Sequence, residues 1–341
     1  MSFILFKCLF LFSHFTFSQI KTDHSQVRIM FYNVENLFFP EDDSLKNDNE
    51  FTPDGVKYWS YYRYQTKLNK IAKTIIAVGE WNAPAIVGLC EVENIQCVND
   101  LIYASPLTRY GYQGILIESG DRRGIDVAMI YRPDLFTVIT QNALIINFPE
   151  ENARPTRDIL YVKGLVGNDT IHVFVNHWPS RYGGELVSRP KRNFAAKVLK
   201  SSIDSIQRID STARIVAMGD FNDHPTDESM SSILYAQKDK NNLKKDDLLN
   251  LTWQYEHKEG THQYQGKWSI LDQFIVNKQF LDSSSNLFTS ESAMHIFKPD
   301  FLLSPDKNGM DNIPNRTYIG YKYNGGYSDH LPIYLDLFLK Y

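Results

Sequence analysis

The sequence predicts a mixed α/β architecture, with two β-sheets packed face to face and helices outside. Three observations point there. Short runs rich in β-branched and aromatic residues recur along the whole chain, several are apolar at consecutive positions, and helical stripes lie between them. A consecutively apolar run suits a strand covered on both faces.

In chain order, the first segment, MSFILFKCLFLFSHFTFSQ, is an apolar run carrying one lysine, with the small Ser18 before the polar QIKTDHSQ. It reads as a cleavable secretory signal over residues 1–18, too short for a spanning helix, leaving 19–341 as one domain without a transmembrane segment. VRIMFYNV predicts the first strand, and Tyr64, Leu68, Ile71, Ala72, Ile75 and Ile76 then mark one apolar helical stripe. AIVGLCEV, IDVAMIYR and IHVFVNHW are further strands, followed by a second stripe through Asn193, Phe194, Ala195, Val198, Leu199 and Ile203. RIVAMGDF, LDQFIV and HLPIYLDLFL complete the set. The connections PEDDSLKNDNEFTPDG, KDKNNLKKDDLLN and SPDKNGMDNIPNRT are polar or rich in turn formers and are expected as surface loops. Beyond the leader only Cys90 and Cys97 remain, so there is no disulfide framework. Cys90 is expected as a buried thiol, with a bridge to Cys97 left open.

Composition narrows the function class. Hydrophobic content of 43% and charged content of 22% allow a sizeable core. A net charge of -4 argues against coating a polyanion by bulk electrostatics, which usually goes with a strongly basic balance. Any polyanion must be gripped locally, by a metal or a few arginines. No stable protein partner is expected, and the chain should be a monomer.

Polar residues recur where apolar strands end. Asn33 closes IMFY, Glu91 closes IVGLC, Asn176 and His177 close IHVFV, and Asp220 and Asn222 close IVAMG; Asp272 opens QFIV, and Asp329 and His330 open LPIYLDL. Side-by-side strand ends would gather these groups on one rim, where sites in sheet-based folds usually sit. Such an acidic cluster is expensive without a cation. Singly, each residue has a plain structural explanation: Asn33, Asp220 and Asn222 as turn residues, Glu91 as a solvated rim charge, His177 as a satisfied core histidine, His330 and Asp329 as a surface pair. Their coincidence in one order is what carries information.

The set YNVENLF, GLCEVEN, NHWPSR, GDFN, LDQF and SDHLP resembles the endonuclease/exonuclease/phosphatase superfamily from about Val27 onward. That superfamily includes pancreatic-type deoxyribonucleases, apurinic endonucleases, inositol polyphosphate phosphatases and bacterial sphingomyelinases. The resemblance implies a four-layered α/β sandwich with a Mg2+ or Mn2+ site at one sheet edge, Ca2+ being a further candidate. It implies Glu91 as principal metal ligand with Asn33 and Asp329 completing the shell, and Asp220 as the base that orients or deprotonates water. Asn222 and His177 would contact the phosphate, while His330, held by Asp272, would stabilise the phosphorane. These residue types suit the chemistry, because phosphodiester hydrolysis needs neutralised phosphate oxygens, an in-line water and help for the leaving alkoxide.

For substrate, Arg181, Arg189, Lys191 and Arg192 form a local basic patch beside the site, or merely a solvated loop. Arg181, Arg122 and Asn176 are the substrate-binding candidates. Tyr58, Trp59, Tyr61, Tyr62 and Tyr64 invite a base-stacking reading, but core packing at the start of a helix is the expectation for most of them. Asp126 and Glu93 are weaker candidates for the cleft. The expectation is a secreted or periplasmic metal-dependent phosphodiesterase, foremost a nuclease acting on DNA or RNA. The alternatives are a sphingomyelinase-like or inositol-phosphate enzyme and a non-catalytic binding module; abasic-site repair is disfavoured by His177.

Overall fold

The structure, a computed structural model, describes residues 24–150, 153–306, 309 and 311–340. The leader expected over residues 1–18 lies outside them. The long apolar runs pair into two seven-stranded sheets. The first is built on β1 (His24–Leu37), β2 (Ile86–Val92), β3 (Gln113–Leu116) and β4 (Asp126–Tyr131), with the last strand, Ile333–Lys340, antiparallel to β1. The second runs β5 (Thr137–Leu144), β6 (Ile159–Val166), β7 (Asp169–His177), β8 (Arg214–Asp220), then the strands Asp272–Asn277, Leu248–Asn250 and Ala236–Gln237. Both sheets are mixed: β1 and β2 run parallel, as do β7 and β8, among otherwise mostly antiparallel neighbours.

Burial explains the layering. Phe31, Ile29, Met129, Val175, Met218 and Phe274 belong to the core between the sheets. The opposite face of the first sheet meets α1 (Tyr61–Gly79) and α2 (Ile95–Tyr103) through Leu68, Ile71, Ile75, Val98 and Leu101. The outer face of the second meets α3 (Glu185–Ile209) through Ala195, Leu199 and Ile203. Four layers result, as the resemblance implied. The α1 stripe fixes that helix, and Ser60 caps it by accepting from the Arg63 amide. At Gly88 the sheets approach closely: a Cβ there would stand 2.7 Å from Met218 Cε on the facing sheet.

The sequence reading missed α2, whose cap Asn94 accepts from the Cys97 amide at 3.0 Å, and the hairpin β5–β6. β5 is mostly exposed and lacks the apolar run that marks the other strands. Cys90 and Cys97 are both buried and both free, so the bridge left open is not made.

Candidate active site

Strand register assembles the site. Across three adjacent strands of the second sheet, His177 on β7 is paired with Asp220 on β8, and Asp220 with Asp272. On the facing sheet Asn33 of β1 is paired with Cys90 of β2, the residue before Glu91. The ladders then break. The β1–β2 register shifts after Asn33 and the β2–β4 register after Cys90, releasing Asn33 and Glu91 from simple alternation. Glu35, Asn36, Glu91 and Asn222 adopt left-handed φ values of 52°, 57°, 62° and 52°. Asparagine enters that region readily, whereas Glu35 and Glu91 hold it only where their surroundings impose it.

The side chains converge. Asn33 Nδ2 donates to Asp220 Oδ2 at 3.1 Å, and Asp220 Oδ1 accepts from the Asn222 amide at 2.9 Å. His330 Nδ1 lies 2.7 Å from Asp272 Oδ2, while its Nε2 faces Asp220 Oδ2 at 3.8 Å. His177 Nε2 stands 3.8 Å from Asp220 and 3.9 Å from Glu91 Oε1, which ties the two sheets' contributions together. Glu91 Oε2 accepts from the Asn36 amide at 2.9 Å. Asp329 is held by Arg316 at 2.7 Å.

Burial and neighbouring charge divide the titratable groups by role. Burial raises the Asp220 pKa to about 7, against the opposing pull of His330. Burial disfavours the charged form of His330, but Asp272 and Asp220 outweigh it and hold the pKa well above the ordinary histidine value. His177 is the reverse case: burial, then the Arg157 and Arg123 charges, push it well below, so the ring is neutral. Its Nδ1 is buried without a partner, whereas Nε2 faces the Asp220 and Glu91 carboxylates at 3.8 and 3.9 Å, so those acceptors favour the tautomer with its proton on Nε2. A neutral donor, a charged donor and a carboxylate titrating near neutrality therefore share one gap.

Asp220, Asp272 and His330 come within 4.8 Å of one another, a spacing that could hold a metal ion. Imidazole is a poor ligand for a hard cation, however, and Asp272 already takes Nδ1. The Glu91 side offers harder donors: carboxylate and amide oxygens of the kind carried by Glu91, Asn33 and Asp329 suit an oxygen-seeking divalent ion. Glu91 Oε1 stands 3.9 Å from His177 Nε2, Asn33 Oδ1 accepts from the Glu35 amide at 3.0 Å, and Asp329 Oδ2 accepts from Arg316.

Two of the three substrate candidates, Asn176 and Arg181, are engaged within the protein. Asn176 is fully buried, with its amide donating to the Phe174 and Met218 carbonyls and accepting from Trp178 Nε1. Arg181 is committed to the Asn222 carbonyl, Asp223 and Asp227 at 2.8, 3.2 and 2.5 Å. The basic patch beside it is likewise consumed: Arg192 is fully buried against Asp223 at 2.6 Å and Arg189 pairs with Glu185. The physical reason for Arg181 and Arg192 lies in the segment NDHPTD after Asp220, whose Asp223 and Asp227 compensate them, while Lys191 lies over the Phe148 ring. Arg122 is exposed in a turn; the arginines that act electrostatically on His177 are Arg123 and Arg157. Asn222 gives one N–H to the Trp178 carbonyl at 3.0 Å, leaving the other for a ligand. Glu93 accepts from the Phe39 amide, and Asp126 from Ser119.

The family description Endonuclease/Exonuclease/phosphatase family matches residues 28–339. The chain belongs to this family. Its members are phosphoester hydrolases that generally use divalent metals. No curated protein matches the sequence. Among solved structures, an endonuclease/exonuclease/phosphatase family protein from Bacteroides thetaiotaomicron is 15% identical, with a TM-score of 0.57 over 93% of this chain and 96% of that one. A mannosyl-6-phosphatase from the same organism is 15% identical, with a TM-score of 0.56 over 91% and 99%. TDP2 of D. rerio, complexed with single strand DNA product, is 13% identical, with a TM-score of 0.53 over 92% and 99%. These likenesses establish the fold alone.

The sequence reading overlooked a supporting network. Glu35 accepts from the Thr317 amide and lies 3.5 Å from Arg316, and the buried Lys67 donates to Thr317 and the Tyr327 carbonyl. Burial pushes Glu35 up to about 7 and Lys67 down to about 8. Lys67 had a signal: it falls on the apolar stripe of α1, where a solvated lysine has no place. Arg316 had none, since its loop position says nothing about Asp329.

Proposed function

We propose that this chain is an exported, Mg2+- or Mn2+-dependent phosphodiesterase that cleaves nucleic acid. The observation carrying the hydrolytic reading is the shared gap lined by Glu91, His177, Asp220 and His330. A divalent ion held by Glu91, Asn33 and Asp329 would neutralise charge on the phosphate. Asp220 takes a proton from water as the water oxygen bonds to phosphorus, which its pKa near 7 favours at physiological pH. The bond to the leaving oxygen breaks as the alkoxide forms, and the alkoxide takes a proton from solvent while Asp220 returns its own to solvent. His330, kept charged by Asp272, donates from Nε2 to a non-bridging oxygen, and the neutral His177 donates from its own Nε2. These donors act where charge accumulates, in a buried and therefore weakly screening site.

The reading of nucleic acid as substrate is supported by the motif set and by the TDP2 neighbour bound to a DNA product. Incubation of the protein with plasmid DNA, structured RNA and a single-stranded oligonucleotide in Mg2+ or Mn2+ tests it, with a chelator control. Cleavage of none of them, beside turnover of a simple phosphodiester, would defeat the nuclease reading. A phosphomonoesterase reading has the mannosyl-6-phosphatase neighbour in its favour; release of inorganic phosphate from sugar phosphates would promote it. Export is inferred from the leader pattern in residues 1–18, and N-terminal sequencing of protein recovered outside the cytoplasm checks it.

A further inference from the structure

The cluster YWSYYRY divides into two sets in space. Trp59 and Tyr64 are buried in the outer core of the first sheet, whereas Tyr58 and Tyr62 are 65% and 79% exposed. Opposite them, the hairpin Tyr318–Tyr323 brings up Tyr321, which is 70% exposed. The two segments are knitted together: Tyr318 Oη donates to the Lys57 carbonyl at 2.9 Å and Lys57 Nζ to the Gly320 carbonyl at 2.9 Å. Cations thread the rings. Lys57 Nζ is 5.1 Å from the centroid of Tyr321 and 4.9 Å from that of Tyr318, and Arg63 lies 4.3 Å over Tyr323, which Tyr62 neighbours. Among the described residues neither Lys57 nor Arg63 is in an ion pair, unlike the arginines after His177.

This surface is joined to the reaction centre through one short stretch of chain. Arg316 holds Asp329, Thr317 binds both Glu35 and Lys67, and the next residue is Tyr318. An exposed group of aromatic rings whose cations have no carboxylate partner among the described residues, carried on a hairpin whose buried Tyr318 directly follows the network residue Thr317, suits a ligand that has flat faces and regularly spaced negative charge. A neutral glycan would use the rings but not the cations, and a duplex hides its base faces.

We infer that Tyr58, Tyr62 and Tyr321, with Lys57 and Arg63, form a stacking platform for unpaired nucleotides flanking the scissile phosphate. This rests on the nuclease reading and adds to it a preference for single strands. Aromatic faces serve every base, so the platform confers strand-state selectivity without sequence selectivity.

The test compares wild type with Tyr62→Ala/Tyr321→Ala on three substrates: a single-stranded oligonucleotide, the same sequence as duplex, and bis(p-nitrophenyl) phosphate. Both side chains are exposed, so the fold should survive, which circular dichroism checks. The expected result is a loss of about 10- to 100-fold in kcat/KM on the single strand, mostly through KM, with bis(p-nitrophenyl) phosphate turnover unchanged and the Tyr62→Trp/Tyr321→Trp variant near wild type. If wild type cleaves oligonucleotides and the double alanine variant does so equally well, the platform is refuted while the nuclease reading stands. If wild type hydrolyses bis(p-nitrophenyl) phosphate but no nucleic acid, both fall; loss of sugar-phosphate hydrolysis in the alanine variant would then assign the surface to carbohydrate.

Discussion

Replacing Asp272 by Asn separates charge from shape at the centre of the site. Asp272 is buried and its Oδ2 lies 2.7 Å from His330 Nδ1; asparagine keeps the outline and removes the charge. A hydrogen bond involving a charged group contributes about 1.5–3 kcal/mol, and about 1.4 kcal/mol corresponds to one pKa unit, so the His330 pKa should fall by about one to two units. The sign for catalysis follows from the roles. Asp220 accepts a proton only when ionised, so kcat/KM rises with pH through about 7. His330 donates charge only when protonated, so kcat/KM falls above its raised pKa. Asp272→Asn should leave the acid limb near its place and draw the alkaline limb inward, and above the new limb the loss should grow to about 10- to 100-fold. The assay is the pH profile of kcat/KM on bis(p-nitrophenyl) phosphate at saturating metal. An alkaline limb that stays put, with a uniform drop at every pH, would show that Asp272 only orients the ring and would refute the argument.

Other outcomes follow from the same geometry. Asp220→Asn should lower kcat by about 1,000-fold or more, with the thermal midpoint preserved or raised because a buried charge is removed; near-normal turnover would exclude Asp220 as the base. Glu91→Gln should abolish metal-dependent turnover and weaken the Mg2+ titration seen by calorimetry, and chelation should silence wild type reversibly. Arg192→Met should cost about 3–5 kcal/mol in urea unfolding by stranding a buried carboxylate, toward the lower end because Arg181 still reaches Asp223 at 3.2 Å. Arg181→Ala should lower stability without raising KM; a large KM effect would return it to substrate binding.

How much was legible in the sequence depended on whether a residue's role is set locally. His177, Asp220 and Asp272 end or open apolar runs, and a strand end is recognisable from its own neighbours, so the rim could be read before any contact was known. The breaks that turn Asn33 and Glu91 toward the cleft were not legible, because a left-handed glutamate is imposed by packing rather than by propensity. The arginines after His177 misled for a related reason: whether a cation is free depends on carboxylates such as Asp223, more than thirty residues away. Lys67 was legible in retrospect as a lysine on an apolar stripe, whereas Arg316 needed the folded loop. Among the aromatics near the start of α1, the helical period marks Tyr64 as core, but the expectation that most of the cluster packs inside does not hold: Tyr58, Tyr61 and Tyr62 are exposed, and their meeting with Tyr321 required tertiary structure.

The matched positions of His177, Asp220 and Asp272 mean that the gauge of this machine is the interstrand repeat itself, about 4.8 Å per step. Loop exchange around the rim could recruit new substrates without disturbing that gauge. Conversely, any insertion in β8 would displace the middle member from both partners at once, so tolerance to indels should fall sharply there compared with the hairpin that carries Tyr321.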